Sequence, residues 1–191
     1  MNTFDNIAAP ATGIGGAITI IRLSGPDALT IGGRVWRSRT SLAEAPPRTM
    51  LLGKVGPDPA LAVYMKAPAS YTGDDVVELH CHGGAAAAEQ ALKLVLASGC
   101  RMAEPGEFTF RAFVNGKLDL VQAEAVGDVI SAGSDMAFKL AEKQLAGALS
   151  SRLEALYGEL NELRAEAESH LDFPDEELAW AENVPERIRA V

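Results

Sequence analysis

The chain has 191 residues, 48% of them hydrophobic and 23% charged, which is enough for one substantial core, or for a domain of about 120 residues with a helical extension, and excludes wholesale disorder. Its formal net charge of −9 repels phosphate backbones at long range and argues against strong nucleic-acid binding by this chain alone. Cys81 and Cys100 lack C-x-x-C spacing, nothing before them resembles a secretory leader, and no apolar run reaches the roughly 18 to 20 residues of a membrane span, so a reduced, cytoplasmic chain is expected.

In chain order, the opening segment reads as a strand punctuated by Gly13, Gly15 and Gly16. In residues 17–23, Ala17, Thr19, Ile21 and Leu23 fall on one face and Ile18, Ile20 and Arg22 on the other. Ser24 is a candidate cap for a helix marked by Pro26 and running to about residue 37. A loop over 38–49 follows. Residues 50–55 and 61–65 are short strands separated by the turn Gly56-Pro57-Asp58-Pro59.

Residues 70–75 form a loop, and 76–82 a strand of period two. Val77, Leu79 and Cys81 point one way; Val76, Glu78, His80 and His82 point the other. Gly83-Gly84 opens a helix over 85–97, Gly99 ends it, and 100–103 is extended. Residues 107–114 read as a short helix with Phe108 and Phe113 buried, stopped by Asn115-Gly116.

A further helix starts at 118 or 119 and reaches about 131, where Gly133 interrupts. Leu145, Leu149, Leu153, Leu156, Leu160, Leu163, Ala167 and Leu171 recur at steps of four and three, which predicts one long helix over about 135–170. A lone helix cannot bury such a stripe. Cover from helices outside this chain or from a second subunit is expected, as in a truncated bundle. Pro174 and Pro185 break the acidic tail.

Glu78, His80 and His82 share one strand face, with successive members about 7 Å apart. They could hold a metal, or the histidines could be core-edge residues bonded to backbone. Glu78 could instead accept two N–H donors from a heterocycle such as pterin or guanine; buried without a ligand it would need Arg22 or Lys117. The bland alternative is a surface carboxylate with salt-bridged surface cations. No G-x-S-x-G elbow and no Walker A loop is present. Cys81 faces the core and should be inert, whereas Cys100 follows a glycine and could be exposed.

Four blocks, GGAITIIRLSGPDA, PASYTGDDVVELHCHGG, PGEFTFRAFVNGKLDLVQAEAVGDVI and LDFPDEE, together resemble the amino-terminal part of the tRNA uridine-modification GTPase family, MnmE/TrmE. The resemblance implies an α+β fold: an amino-terminal mixed sheet with packed helices, of tetrahydrofolate-binding type, over 1–117, then a partial all-helical domain over 118–191. It implies 5-formyltetrahydrofolate or a related tetrahydrofolate as ligand, with the family's arginine, glutamate and lysine falling on Arg22, Glu78 and Lys117. It further implies a homodimer through the amino-terminal domain, a flavoprotein partner (MnmG/GidA), and tRNA as the substrate of the full complex, modified at carbon 5 of the wobble uridine. GTP, K+ and Mg2+ would belong to a GTPase domain that this chain lacks, so the chain itself should not hydrolyse GTP. Three departures surround the site: Ile14 in TGIGG, a shortened 53–64 region suggesting a tight hairpin, and Phe110 at a position often charged. Alternatives from other classes are a dimerisation scaffold without ligand, and a metalloenzyme using Glu78, His80 and His82.

Overall fold

A computed structural model describes residues 5–172. The chain divides into two compact units, Met1–Leu118 and Asp119–Val191. Among the described residues the first is a seven-stranded mixed sheet with helices and the second is helical, which is the α+β arrangement expected.

The sheet runs in the order β3-β4-β5-β6-β2-β1-β7, with β1 Ile7–Pro10, β2 Ile18–Ser24, β3 Trp36–Arg37, β4 Leu51–Val55, β5 Asp58–Met65, β6 Val76–His82 and β7 Arg101–Met102. All pairings are antiparallel except β1 with β7. Helices α1, Ala28–Val35, and α2, Ala85–Ala97, cover one face. Ile21 and Leu23 of β2, Val77, Leu79 and Cys81 of β6, and Ala62 and Tyr64 of β5 are buried there with Ile31, Ala91 and Val95. Gly32 of α1 has no room for a side chain, since a Cβ would come within 3.0 Å of Val77. The helix is thereby drawn close onto β6.

The opposite face is covered only in part. At one end Ser24 and Val76 are fully buried, and Ser24 Oγ lies 2.7 Å from Thr72 Oγ1 in the 66–75 loop. At the other end Ile18, Leu52 and Leu61 are exposed. Arg22, Glu78 and His80 lie on the margin between the covered and open ends.

Several local expectations are corrected. Ser24 does not cap α1; its hydroxyl is taken by Thr72, Asp27 stands at the N-cap, and Trp36 and Arg37 leave the helix to pair with β4. The β4–β5 turn is tighter than the four residues expected, because Val55 already pairs with Asp58 and Pro59 lies in β5. Helix α3, Glu107–Val114, has the expected ends but a different inside: Glu107, Arg111 and Ala112 are buried, Phe108 is half-buried and Phe113 is exposed. Cys100 is buried.

In the second unit, α4, Leu120–Ser131, opens with a capping box in which Asp119 accepts from the Gln122 backbone and the Gln122 side chain accepts from Asp119. The single long helix expected over 135–170 is two: α5, Asp135–Leu145, and α6, Ala148–Asp172. Gly147 between them has φ +84°, a left-handed conformation incompatible with a continuing helix. No side chain of α6 is buried, and Leu153, Tyr157 and Leu160 are exposed along it. The tail with Pro174 and Pro185, and most of LDFPDEE, lie outside the described residues. Among the described residues no helix is long and apolar enough to cross a membrane.

Candidate functional site

Arg22 and Glu78 are cross-strand partners on β2 and β6. Side-chain alternation puts both on the face away from α1 and α2. Arg22 Nε donates to Glu78 Oε1 at 2.8 Å, and the two side chains are 24% and 15% exposed. The guanidinium carbon lies 5.3 Å from the Tyr71 ring centroid and 5.5 Å from that of Phe108, within cation–π range of both. The aromatic rings and the carboxylate hold Arg22 by its Nε side. Its terminal nitrogens have no acceptor among the described residues. An acceptor group and a donor group therefore stand side by side at a half-buried margin, complementary to a ligand edge that mixes N–H and C=O.

Lys117 is exposed and approaches from another direction. Its Nζ donates to the Pro68 carbonyl at 3.2 Å, and it makes no ion pair with Glu78 among the described residues. The 66–75 loop links the two cations, because Tyr71 lies against Arg22 while Pro68 receives Lys117. Asn115 pins the same loop, donating from Nδ2 to Thr72 O at 2.8 Å and to Asp74 Oδ1 at 3.0 Å. Gly73 permits this approach: its φ is +84° and a Cβ would fall 2.9 Å from Asn115 Cβ. The Asn-Gly-Lys stretch thus ends α3 and sets its side chains against the loop bordering Arg22.

Behind the loop lies a network of charges that sequence reasoning missed. Glu107 Oε1 accepts from Arg101 Nη2 at 2.5 Å and from Arg111 Nη2 at 3.2 Å, and Arg111 Nη2 also donates to Asp5 Oδ1 at 2.6 Å. Arg101 Nε donates to Asp5 Oδ2 at 2.7 Å. The Glu107 and Arg111 side chains are each 1% exposed. The hydrogen bond from Arg101 holds the Glu107 carboxyl far below its ordinary value, at about 2, against the opposing effect of burial. Asp5 is also lowered; burial pushes it up, but the bonds from Arg101 and Arg111 outweigh that. This network fastens α3, and with it Phe108, to β7 and the segment before β1. The signal for it was the i,i+4 spacing of Glu107 and Arg111 in GEFTFRAF, usually read as an exposed pair.

The two histidines of β6 diverge. His82 Nδ1 lies 2.5 Å from Asp58 Oδ1, and Asp58 Oδ2 also accepts from the His82 backbone at 3.0 Å. His80 Nε2 lies 3.5 Å from Glu78 Oε2. Among the described residues no group of three or more His, Cys, Asp or Glu side chains is arranged to hold a metal ion, so Glu78, His80 and His82 do not form the metal site weighed from their spacing. Burial pushes both thiols, Cys81 and Cys100, up to about 11, which disfavours the nucleophilic thiolate form of each.

Comparison with known proteins decides the affiliation. Residues 6–117 match the family model described as the GTP-binding protein TrmE N-terminus, and residues 120–191 match the MnmE helical domain. The chain belongs to the TrmE/MnmE family. It is 47% identical over 182 residues to the tRNA modification GTPase MnmE of Geobacter sulfurreducens, covering 91% of this chain and 40% of that protein. Likeness to the proteins of the same name from Thermotoga petrophila (47% over 178 residues, 90% of this chain and 39% of the relative) and Lactobacillus delbrueckii subsp. bulgaricus (43% over 195 residues, 96% and 42%) is similar. The chain thus spans about two fifths of the length of the curated MnmE relatives it matches. Arg22, Glu78 and Lys117 all fall within the part matching the TrmE N-terminus, and α4 to α6 within the MnmE helical part.

Proposed function

We propose that residues 1–117 are the tetrahydrofolate-binding and dimerisation domain of a GTPase that modifies the wobble uridine of tRNA at carbon 5, and that residues 118–191 begin its helical domain. The observation that carries this reading is the half-buried Arg22–Glu78 pair, whose donor and acceptor groups sit side by side beneath Tyr71 and Phe108.

The donor set fits a pteridine. Glu78 Oε2 and the remaining lone pair of Oε1 accept its N–H groups, and the terminal nitrogens of Arg22 meet a carbonyl or anionic oxygen. Lys117 engages the polar or anionic part of the folate, after leaving Pro68 or from beside it. When bound, 5-formyltetrahydrofolate or a related form supplies a one-carbon unit; this chain's residues bind and orient it. The relatives' names give tRNA modification and a GTPase; in this reading GTP, K+ and Mg2+, the flavoprotein partner MnmG/GidA and tRNA complete the full assembly. The open end of the sheet face, with Ile18 55%, Leu52 74% and Leu61 37% exposed, supports a second copy as the dimer partner.

Calorimetric titration with 5-formyltetrahydrofolate, joined to sedimentation equilibrium, tests both parts. Binding that is lost in Glu78→Ala and weakened in Lys117→Ala, by a protein that sediments as a dimer, is expected. Dimers that give no heat at saturating ligand would leave a scaffold without ligand. Monomers would remove the dimerisation half.

A further inference from the structure

The formal charge of −9 is unevenly placed along the chain. Residues 119–191 hold 16 Asp and Glu against 6 Lys and Arg, whereas residues 1–118 hold 10 against 11. Five of those 11 cations, Arg34, Arg37, Arg39, Arg48 and Lys54, fall within residues 34–54, where Glu44 is the only acid. All five are exposed, and none makes an ion pair among the described residues. Glu44 instead accepts from the Ser41 backbone at 3.1 Å. Arg37 and Lys54 are cross-strand partners on β3 and β4, at the outer edge of the sheet. Trp36 and Val55 beside them are buried in the core under the helices, so alternation puts both cations on the opposite, open face. Like charges directly opposite each other destabilise a strand pair, and here no carboxylate relieves them. A shallow groove of about 630 Å³ adjoins them, lined among others by Ser38, Arg39, Thr40, Met50, Leu52 and Lys54, with no acidic and no aromatic residue. The side chains of Arg39 and Lys54 have no hydrogen-bond partner among the described residues.

We propose that this basic edge is an RNA-docking surface, on which Arg37, Arg39 and Lys54 take neighbouring phosphates of an RNA backbone. The inference rests on the tRNA reading above for the identity of its partner; the uncompensated charge stands on the register and the groove. A phosphate placed between Arg37 and Lys54 turns their mutual repulsion into attraction toward a shared anion. Arg37 is held for this by bonds from Nη1 to the carbonyls of Arg34 and Trp36, at 2.8 and 3.0 Å, which leave its charge and its other donors available. The Thr40 hydroxyl adds a donor, and Met50 and Leu52 offer apolar surface to the sugars. The groove is too open for a small phosphate ester, since small-molecule sites enclose most of their ligand, whereas Met50 is 47% and Leu52 74% exposed. Without an aromatic ring to stack on, bases are not read, so the contact is independent of sequence. Leu52 is the border with the patch assigned above to the second copy, and the cations continue outward from it to the sheet edge. The acidic residues 119–191 oppose a polyanion at long range, so binding is weak and salt-sensitive.

Fluorescence anisotropy of a labelled tRNA transcript, titrated with the chain between about 25 and 200 mM salt, tests this. The logarithm of Kd should rise with that of salt at a slope of about 2 to 3, as for about three phosphate contacts. Arg39→Gln and Lys54→Gln should each weaken binding about three- to tenfold at low salt and lower the slope by about 1. Lys93→Gln, which removes an exposed cation from α2, should change affinity by less than about twofold. No binding at the lowest salt, or affinity and slope unchanged in both groove variants, would overturn the proposal. Displacement of the RNA by polyglutamate at matched charge would overturn it in favour of an acidic protein segment. A second readout needs no variant: tRNA should protect Lys54 from acetylation in the native chain but leave Lys93 reactive, and an unprotected Lys54 would also overturn the assignment. Titration of the same samples with 5-formyltetrahydrofolate separates the two readings. A chain that binds folate but no tRNA overturns this inference alone, and one that binds tRNA through the groove but no folate defeats the folate reading alone.

Discussion

Arg22 and Glu78 sit directly opposite each other on antiparallel β2 and β6, and the Nε of the first lies 2.8 Å from Oε1 of the second. Each is the other's main compensation for partial burial. Replacing Arg22 with Ala should destabilise the chain by about 1–3 kcal/mol, because Glu78 is left half-buried with a lone imidazole beside it. The double variant Arg22→Ala/Glu78→Ala should be less destabilised than the two single effects added, by about 1 kcal/mol in urea unfolding. Strict additivity would mean the pair is not coupled.

Acid should loosen the first unit through the network at α3. Glu107 is depressed from 4.5 to about 2, and Asp5 is also lowered. A carboxylate with a lowered folded-state value contributes stability that is complete above its unfolded value and disappears as pH falls through the folded one. The loss therefore begins near pH 4.5 and is complete around pH 2, amounting to about 3 kcal/mol for Glu107. Asp74, whose carboxyl burial pushes upward, works in the opposite direction. Glu107→Gln should lower stability at pH 7 and flatten its dependence between pH 5 and 2 in chemical denaturation.

Gly147→Ala distinguishes two helices from one. In a continuous helix the change would add roughly 1 kcal/mol of stability. At φ +84° it should instead cost about 1–2 kcal/mol, since a Cβ there crowds the following carbonyl. Thermal unfolding followed by far-ultraviolet circular dichroism reads the sign.

The two thiols should be unreactive in the folded protein. Their shift from 9.0 to about 11 cuts the thiolate fraction at pH 8 about a hundredfold, before any shielding by burial. Reaction with an aromatic disulfide reagent should yield no fast phase natively and two thiols per chain in denaturant. One fast native thiol would show that Cys100 is reached by solvent.

Much of the site could be read along the chain, because the information was local. Alternation in 17–23 and 76–82 separates Arg22 and Glu78 from Ile21 and Leu79 by backbone geometry alone. Asn115-Gly116 stops a helix wherever it occurs. Tyr71 and Phe108 escaped notice as companions of Arg22, since nothing in their spacing says which cation they will meet.

What the amino-acid order determined by itself was periodicity and punctuation: which residues share a face, and where elements start and stop. The break at Gly147 is a partial exception, hidden because the leucine stripe continues through it. Tertiary structure alone decided the register that sets Arg22 against Glu78 and His80, and the inside of α3. Hydrophobicity put Phe113 inside, yet Glu107 and Arg111 are buried, because Arg101 on β7 and Asp5, the latter distant in the chain, compensate their desolvation. Thr72 likewise took Ser24 from its helix, and packing closed over Cys100. Long-range partners of this kind leave no trace in local spacing, since the free energy that selects them exists only once the chain has folded.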